Sequence, residues 1–502
     1  MEHSVFALKG ILVHTPAFDS IEYHENKYVV CKDGHCVGIF DTLPEEYSNI
    51  RIYDYTDKFI VPGMADMHVH ASQYGFRGIG MLLDCNSEWE TWFDRYSFPE
   101  ESRFADLDYA DKAYTRFVDD LLKTTTTTRA SIFATIHRPA TELLMRKLAD
   151  AGFSAYVGKL NMDRNSRFGL QETTEESLAE TERWIQETQT GYGAVKPMIT
   201  PRYTPTCTDK CMEGLGALSE KYQVPVQSHL SEGLDEIEWV KKLKPGLSCY
   251  GEAYDMYGML GSKQPTVMAH VVHPNAAEYE LLKHRNVLVA HCPQSNTNAA
   301  GGVAPILDMV RDGIQVGLGT DMAGGYTLSL LRTITDAIQA SKLRWVYTER
   351  NGEPFAKKRF MTIANAFYLA TKGGGAFFGK VGSFEPGYEF DAVVLDDAPL
   401  ADFVERPLPD RLQVMAAAQM KYTPIWSTSA TRPKPASAVS RRRTPCATVY
   451  SRAMIRSCRL RVSSGSPPSR QNCRTVHQTA AARKRASTGR SLSLPSWTYQ
   501  AV

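Results

Sequence analysis

Two histidines one residue apart are the first candidates for chemistry in this sequence. His68 and His70 stand at the end of the apolar run KFIVPGMADMHVH, a pattern that predicts a buried strand. Residues two apart on a strand face the same side, so both imidazoles can reach one cation at roughly 2.0–2.1 Å. An isolated H-x-H pair is more often two hydrogen-bonded polar residues near a strand end, so this interpretation depends on the rest of the chain.

Further candidate ligands follow later apolar runs. The stretch QSHLSE contains His229 and Glu232, AHVVHP contains His270, and GLGTDMAGG contains Asp321. Imidazole and carboxylate ligands without a thiolate suit zinc or iron, and a metal ion lowers the pKa of bound water to roughly 7. Glu232, just beyond His229, is placed to act as general acid and base. The pattern therefore predicts a metal site for hydrolysis.

Eight apolar runs supply the elements that must position these side chains. They alternate with amphipathic segments, the pattern of strand–helix units and a parallel sheet. The predicted strands are 60–70, 129–137, 154–162, 194–201, 224–230, 265–272, 286–292 and 314–321, and predicted helices include 139–150, 173–190, 208–222, 275–284 and 304–312. Together they predict an α/β fold of the (β/α)8 TIM-barrel type over residues 59–379.

Candidate site residues fall at the ends of these strands. They are His68, His70, His137, Arg202, His229, His270, His291 and Asp321. Barrel enzymes place their chemistry at the C-terminal ends of the strands. Structural hydrogen bonding is an equally good interpretation of His137 and His291, and Arg202 is also consistent with an ion pair at the barrel rim.

The two flanks of the barrel are predicted to share a small β domain. Residues 1–58 and 380–411 contain short apolar runs separated by turn residues, such as KYVVCKDGHCVGIF and YEFDAVVLD. The ten cysteines form no C-x-x-C pair, which argues against a disulfide framework. No basic and apolar leader or long apolar stretch is evident, and we expect a cytoplasmic protein.

Residues 412–502 differ sharply from the rest. They contain 16 Lys and Arg and no Asp or Glu, so the net charge of +1 conceals a balance of −15 in the preceding residues. This composition predicts disorder. The basic segment is consistent with an appendage that binds nucleic acid or an acidic membrane, and better with a shifted reading frame or a retained intron.

The motifs together resemble those of a known family. H-x-H after the first strand, His after the fifth and sixth, and Asp after the eighth resemble the amidohydrolase superfamily. Within it, the sequence is most similar to the guanine deaminases. The stretches that carry this resemblance are HVHASQYGF, YSFPEESRF, FATIH, VGKLNMD, ETTEES, ITPRYTP, QSHLSE, HCPQSNTN and VGLGTDMAGGYTLSLL.

The resemblance implies roles for individual residues. It implies one Zn²⁺ per subunit bound by His68, His70, His229 and Asp321, with Glu232, Asp321 and His270 as catalytic residues. The substrate-binding residues it implies are Gln73, Arg202, Tyr203, His229, His270 and Asp321. The reaction would be hydrolysis of guanine to xanthine and ammonia, in a protein that is commonly a homodimer.

Two alternatives remain open from the sequence. One keeps the fold and metal but changes the substrate to another aminopurine, a pterin or a triazine. In the other, the chain is a non-catalytic binding protein with a basic tail, although retention of every predicted ligand argues against it. Nucleic-acid binding by the tail is the less favoured expectation.

Overall fold

The computed structural model describes residues 5–79, 89–349, 360–400 and 404–418, and every structural statement below concerns these residues. The strands are β1 Val5–Ala17, β2 Ser20–Lys32, β3 His35–Phe40, β4 Arg51–Pro62, β5 Met64–His70, β6 Thr127–Phe133, β7 Ser154–Gly158, β8 Leu160–Asn161, β9 Val195–Pro197, β10 Thr200–Pro201, β11 Val226–Leu230, β12 Thr266–His270, β13 Val287–His291, β14 Gln315–Leu318 and β15 Ala392–Leu395.

Helices connect the barrel strands and follow them. They are α1 Trp89–Trp92, α2 Phe98–Ser102, α3 Leu107–Thr124, α4 Arg138–Asp150, α5 Thr174–Thr188, α6 Asp209–Tyr222, α7 Leu234–Leu243, α8 Glu252–Asp255, α9 Ala276–Lys283, α10 Pro293–Asn298, α11 Ile306–Arg311, α12 Leu330–Arg344, α13 Ile363–Tyr368 and α14 Leu408–Ala417. Side-chain caps fix several starts, among them a capping box in which Thr173 and Glu176 satisfy each other's backbone N–H groups.

Eight parallel strands form the predicted barrel. Strands β5, β6, β7 and β9 pair in that order, and β11, β12, β13 and β14 form a second parallel run. A bridge between Ile199 and Val226 joins the two runs. The ring closes where the Asp321 N–H donates to the His68 carbonyl at 2.8 Å and the His70 N–H donates to the Met322 carbonyl at 2.9 Å. The predicted barrel fold is confirmed.

Burial explains why these runs become barrel strands. All seven residues of β5 and all five of β12 and β13 are buried, as expected for parallel strands covered on both faces. Met67, Val267, Ala269 and Leu288 belong to one apolar cluster contributed by several strands. A fixed, packed barrel holds the side chains at its strand ends in place.

A second sheet is built from both flanks of the barrel, as predicted. Its strand order is β15-β4-β1-β2-β3, with β15 antiparallel to β4. Strands β1 and β2 are antiparallel and pair His14 with Glu22 and Leu12 with His24.

The end of the described chain lies close to the change in composition. Helix α14 crosses residue 412, the first residue of the basic segment. Residues 419–502 lie outside the described residues, so the disorder predicted for the tail stays a prediction. In the described ranges, no helix is both long enough and apolar enough to cross a membrane, and the six cysteines there are free and buried.

Candidate active site

The barrel brings the four predicted zinc ligands and His270 together. His68 and His70 end β5, His229 and His270 lie on β11 and β12, and Asp321 follows β14. The side chains of His68, His70, His270 and Asp321 are at most 8% exposed, and His229 is partly buried. Side chains far apart in sequence therefore meet because the C-terminal ends of parallel barrel strands share one face.

Their ligand atoms have the separations of a metal site. The Asp321 Oδ1 atom is 3.3 Å from His68 Nε2 and 3.5 Å from His70 Nε2. The Nε2 atoms of His70 and His229 are 3.2 Å apart. Tetrahedral zinc with bonds of 2.0–2.1 Å places its ligand atoms about 3.3 Å from one another. His68, His270 and Asp321 also offer atoms that are all within 4.8 Å.

Hydrogen bonds outside this group fix two of the ring tautomers. His229 Nδ1 lies 2.6 Å from the Arg202 carbonyl oxygen, which can only accept, so Nδ1 carries the hydrogen. The His229 Nε2 lone pair then points at His70. His270 Nδ1 is 2.9 Å from the Asn296 side-chain oxygen, which leaves its Nε2 free to accept. Such partners commonly orient imidazoles that bind metals.

The protonation states also fit a cation. Burial lowers the pKa of the His68, His70 and His229 imidazoles well below the usual histidine range, which keeps them neutral as metal ligation requires. Among the described side chains, His68 Nε2 and His270 Nε2 are buried without a hydrogen-bond partner. A metal ion bound among these residues would satisfy such atoms.

Glu232 lies at the edge of this group. Its Oε2 atom is 3.4 Å from His270 Nε2, and its side chain is 8% exposed. Burial, reinforced by the negative charge of Asp321, raises the pKa of Glu232 well above its usual value. A buried carboxyl with a raised pKa can hold a proton at neutral pH and release it during a reaction.

A cavity with about 580 Å³ of empty space, part of it open to solvent, lies beside the cluster. Its lining residues are His70, Gln73, Trp92, Phe93, Arg202, Tyr203, His229, Glu232, His270, Ser295, Asn298, Ala299, Asp321 and Gly324. Tyr203 stacks on Phe93 with ring centroids 5.7 Å apart. The cavity thus combines the cluster, a proton carrier, aromatic faces and two hydrogen-bonding side chains, Gln73 and Arg202.

A buried network fixes those two side chains. Glu101, fully buried, accepts from Arg202 Nη1 at 2.8 and 2.6 Å and from Gln73 Nε2 at 3.0 Å. Ser97 Oγ donates to Glu101 at 3.0 Å and accepts from Arg202 Nη2 at 2.8 Å and from Gln73 Nε2 at 3.3 Å. Because the carboxylate only accepts, the Gln73 amide nitrogen must face it, which leaves the Gln73 oxygen as acceptor.

The sequence interpretation left out the supports of this site. Glu101 and Ser97 fix Arg202, and Asn296 orients His270. All three lie in stretches already singled out, YSFPEESRF and HCPQSNTN. Glu101 could have been noticed as an acidic residue within the stretch YSFPEESRF, which carries the family resemblance. Its partner Arg202, however, is about 100 residues away in sequence.

Two candidates, His137 and His291, neither line this cavity nor belong to the ligand cluster. His291 is buried against Ala304, Ile306 and Arg344 in a separate small cavity, where burial lowers the pKa of its imidazole to about 3. His137 precedes α4, and burial lowers the pKa of its imidazole too. The structural hydrogen bonding that the sequence left open for them stays a prediction, because His137 Nε2 and His291 Nδ1 are buried without a hydrogen-bond partner among the described residues.

The sequence profile of the Amidohydrolase family matches residues 59–417. This chain belongs to the amidohydrolase family. Guanine deaminase of Homo sapiens is 39% identical over 352 residues, which cover 68% of this chain and 74% of that protein. Guanine deaminase of Dictyostelium discoideum is 35% identical over 409 residues, covering 77% of this chain and 88% of that protein.

A solved structure agrees with the fold. Guanine deaminase from C. acetobutylicum, with bound guanine in the active site, superposes with a TM-score of 0.79 at 42% identity, covering 84% of this chain and 98% of that one. The resemblance to guanine deaminases seen in the sequence is confirmed.

Proposed function

We propose that this chain catalyses the zinc-dependent hydrolysis of guanine to xanthine and ammonia. The observation that carries the proposal is the meeting, in one cavity, of the histidine–aspartate cluster, the proton carrier Glu232, and the oriented pair Gln73 and Arg202. The similarity to guanine deaminases supports it.

We infer that His68, His70, His229 and Asp321 hold the ion and that His270 faces the attacking water. When bound there, Zn²⁺ lowers the pKa of a water to about 7 and so provides a nucleophile at neutral pH. The donor set of three imidazoles and one carboxylate suits zinc, and the separations of 3.2 to 3.5 Å fit a common ion.

Two buried acids, Glu232 and Asp321, transfer the protons. Glu232 takes a proton from the attacking water and passes it to the purine ring while the carbon bearing the exocyclic amine is attacked. Asp321 accepts and returns a proton as ammonia leaves. The adjacent Asp321 charge helps to raise the pKa of Glu232, which favours its protonated form once the proton has been taken.

Specificity would come from hydrogen bonds at the far side of the cavity. Arg202 retains guanidinium hydrogens beyond those given to Glu101 and Ser97, and can donate to the guanine carbonyl oxygen. Gln73 offers its oxygen to a ring or amine N–H. Since Glu101 neutralises Arg202, the pair suits an uncharged base rather than an anionic ligand. Tyr203 and Phe93 provide the apolar surface against the ring.

Ammonia release from guanine tests the proposal. The Glu232→Gln variant should retain bound metal and lose roughly 10²- to 10⁴-fold in turnover, because only proton transfer is removed. Glu238→Gln, an exposed acid on α7, is the matched control. A folded, zinc-loaded chain without guanine turnover would contradict the proposal.

Substrate choice needs a separate experiment. In Arg202→Ala and Gln73→Ala the ratio of guanine to adenine turnover should fall steeply, since buried polar groups left unpaired discriminate strongly between substrates. An unchanged ratio, or faster turnover of a pterin or triazine, would favour the alternative substrate.

The proposal also includes a homodimer and a cytoplasmic location. Light scattering on the purified chain tests whether the chain forms a homodimer.

A further inference from the structure

A second group of metal-ligand side chains lies outside the barrel, on the small β sheet. His14 on β1 pairs in register with Glu22 on β2, and His24 is two residues farther along β2. Cross-strand partners and residues two apart on one strand face the same side of a sheet. His14, Glu22 and His24, here called the hairpin cluster, therefore project together.

The hairpin cluster has ligand-atom separations similar to those of the barrel cluster, which is formed by His68, His70, His229, His270 and Asp321. Glu22 Oε2 lies 3.3 Å from His14 Nε2 and 3.1 Å from His24 Nε2. The three ligand atoms all lie within 4.8 Å of one another. These values match the ligand spacing of about 3.3 Å around tetrahedral zinc.

Hydrogen bonds behind His14 fix how its ring can bind. Lys372 and Ser383 both donate to Glu385 Oε2, the hydroxyl of Ser383 at 2.7 Å. Ser383 Oγ lies 3.3 Å from His14 Nδ1, so we assign its single hydrogen to the nearer Glu385 carboxylate, which makes Oγ the acceptor from His14 Nδ1. The remaining nitrogen, His14 Nε2, then directs a lone pair at the Glu22 carboxylate.

Two lone pairs facing each other at this distance require a positive charge between them. A proton is one candidate, shared with a His14 side chain that is 5% exposed. A metal ion is the other, and it would also engage His24. An imidazole whose second nitrogen donates to an oxygen is the usual arrangement of a metal ligand.

We propose that His14, Glu22 and His24 form a second binding site for a divalent transition metal such as Zn²⁺. Two imidazoles and a carboxylate are suitable ligands for this ion. The side chains of Glu22 and His24 are 46% and 30% exposed, so solvent completes the coordination. The ion links β1 to β2 and, through Ser383, to the segment after the barrel. The buried acid and the cavity of the barrel site have no counterpart among these three residues, so we assign this second ion a structural role.

Counting metal ions per chain tests the proposal. The untagged full-length chain is stripped with a chelator, dialysed against Zn²⁺, and analysed by inductively coupled plasma mass spectrometry. We expect His24→Gln to bind one ion fewer per chain than the unsubstituted protein. His35→Gln, which replaces an exposed histidine on the adjacent strand β3, should bind the same number.

A second variant addresses the ring orientation. Ser383→Ala removes the acceptor of His14 Nδ1 and should weaken zinc binding at the hairpin cluster by about 10- to 100-fold, the usual effect of losing such a partner. Circular dichroism on each variant verifies folding, and Glu22→Gln replaces His24→Gln if the latter does not fold.

Either of two results would overturn the hairpin site. One is an equal ion count in the unsubstituted protein and in the His24→Gln and Glu22→Gln variants, which would mean that a proton lies between His14 and Glu22. The other is an equal loss in His35→Gln. Guanine turnover on the same samples separates this proposal from the deaminase proposal, because His24→Gln should retain full turnover whichever count is found.

Discussion

The barrel cluster and the hairpin cluster contain the same kinds of ligand at the same separations, but in different surroundings. In the barrel, the ligands are buried at strand ends, beside a 580 Å³ cavity with Glu232 at its edge. On the hairpin, Glu22 is half exposed and its neighbours stabilise a sheet. Under the two proposals above, ligand identity and spacing account for metal binding, whereas catalysis also needs a proton carrier and a substrate pocket.

Replacing the carboxylate ligand of each cluster by its amide tests directly whether the two clusters differ in function. Asp321→Asn should lower guanine turnover by at least roughly 10²-fold, because it removes both a ligand and a proton carrier. Glu22→Gln should leave turnover unchanged. Ammonia release measures both variants, and a comparable loss in the two would show that the hairpin cluster takes part in catalysis.

A substitution in the buried network that holds Gln73 and Arg202 should have the next largest effect. Glu101→Gln leaves the Arg202 guanidinium buried without its ion-pair partner, and removing one member of a buried pair costs roughly 3–5 kcal/mol. We expect this loss in the free energy of unfolding, together with a higher KM for guanine.

The exposed pair of Lys241 and Glu238 provides the control for Glu101. Glu238→Gln should change the free energy of unfolding by less than about 1 kcal/mol. Urea denaturation measures both variants. Equal stability of the Glu101 variant and the unsubstituted chain would contradict the account of the network.

A smaller, pH-dependent effect is expected at Glu236, which accepts from the Glu232 N–H at 3.1 Å and from the Tyr250 hydroxyl at 2.8 Å. Burial raises the pKa of Glu236 from 4.5 to about 8. Between these values the folded chain holds a proton that the unfolded chain has released, so this carboxyl makes stability fall as pH rises.

Glu236→Gln mimics the protonated form and should flatten that fall. The slope it removes is at most about 1.4 kcal/mol per pH unit. Urea denaturation from pH 5.5 to 8.5 measures it, with Glu238→Gln on the same helix as control. Parallel pH profiles in the Glu236 variant and the unsubstituted chain would rule out this assignment.

Much of this architecture is predictable from the sequence because strongly apolar runs end in polar residues. Strands buried on both faces produce such runs, and barrel geometry brings residues such as His68 and Asp321 to one face. Contacts set by tertiary packing are not predictable in this way. Glu101 reaches Arg202 from the short helix α2, and His14 meets Glu22 only through a hairpin register that the sequence does not reveal.

The central claim is that one zinc ion in the barrel cluster supports guanine deamination. It is tested most directly by adding Zn²⁺ stepwise to the metal-free His24→Gln variant, in which the barrel cluster is the site expected to fill. Guanine turnover should rise in proportion to added metal and level off at one equivalent per chain. Absence of ammonia release at every metal loading, in protein that is folded and binds the ion, would contradict the claim.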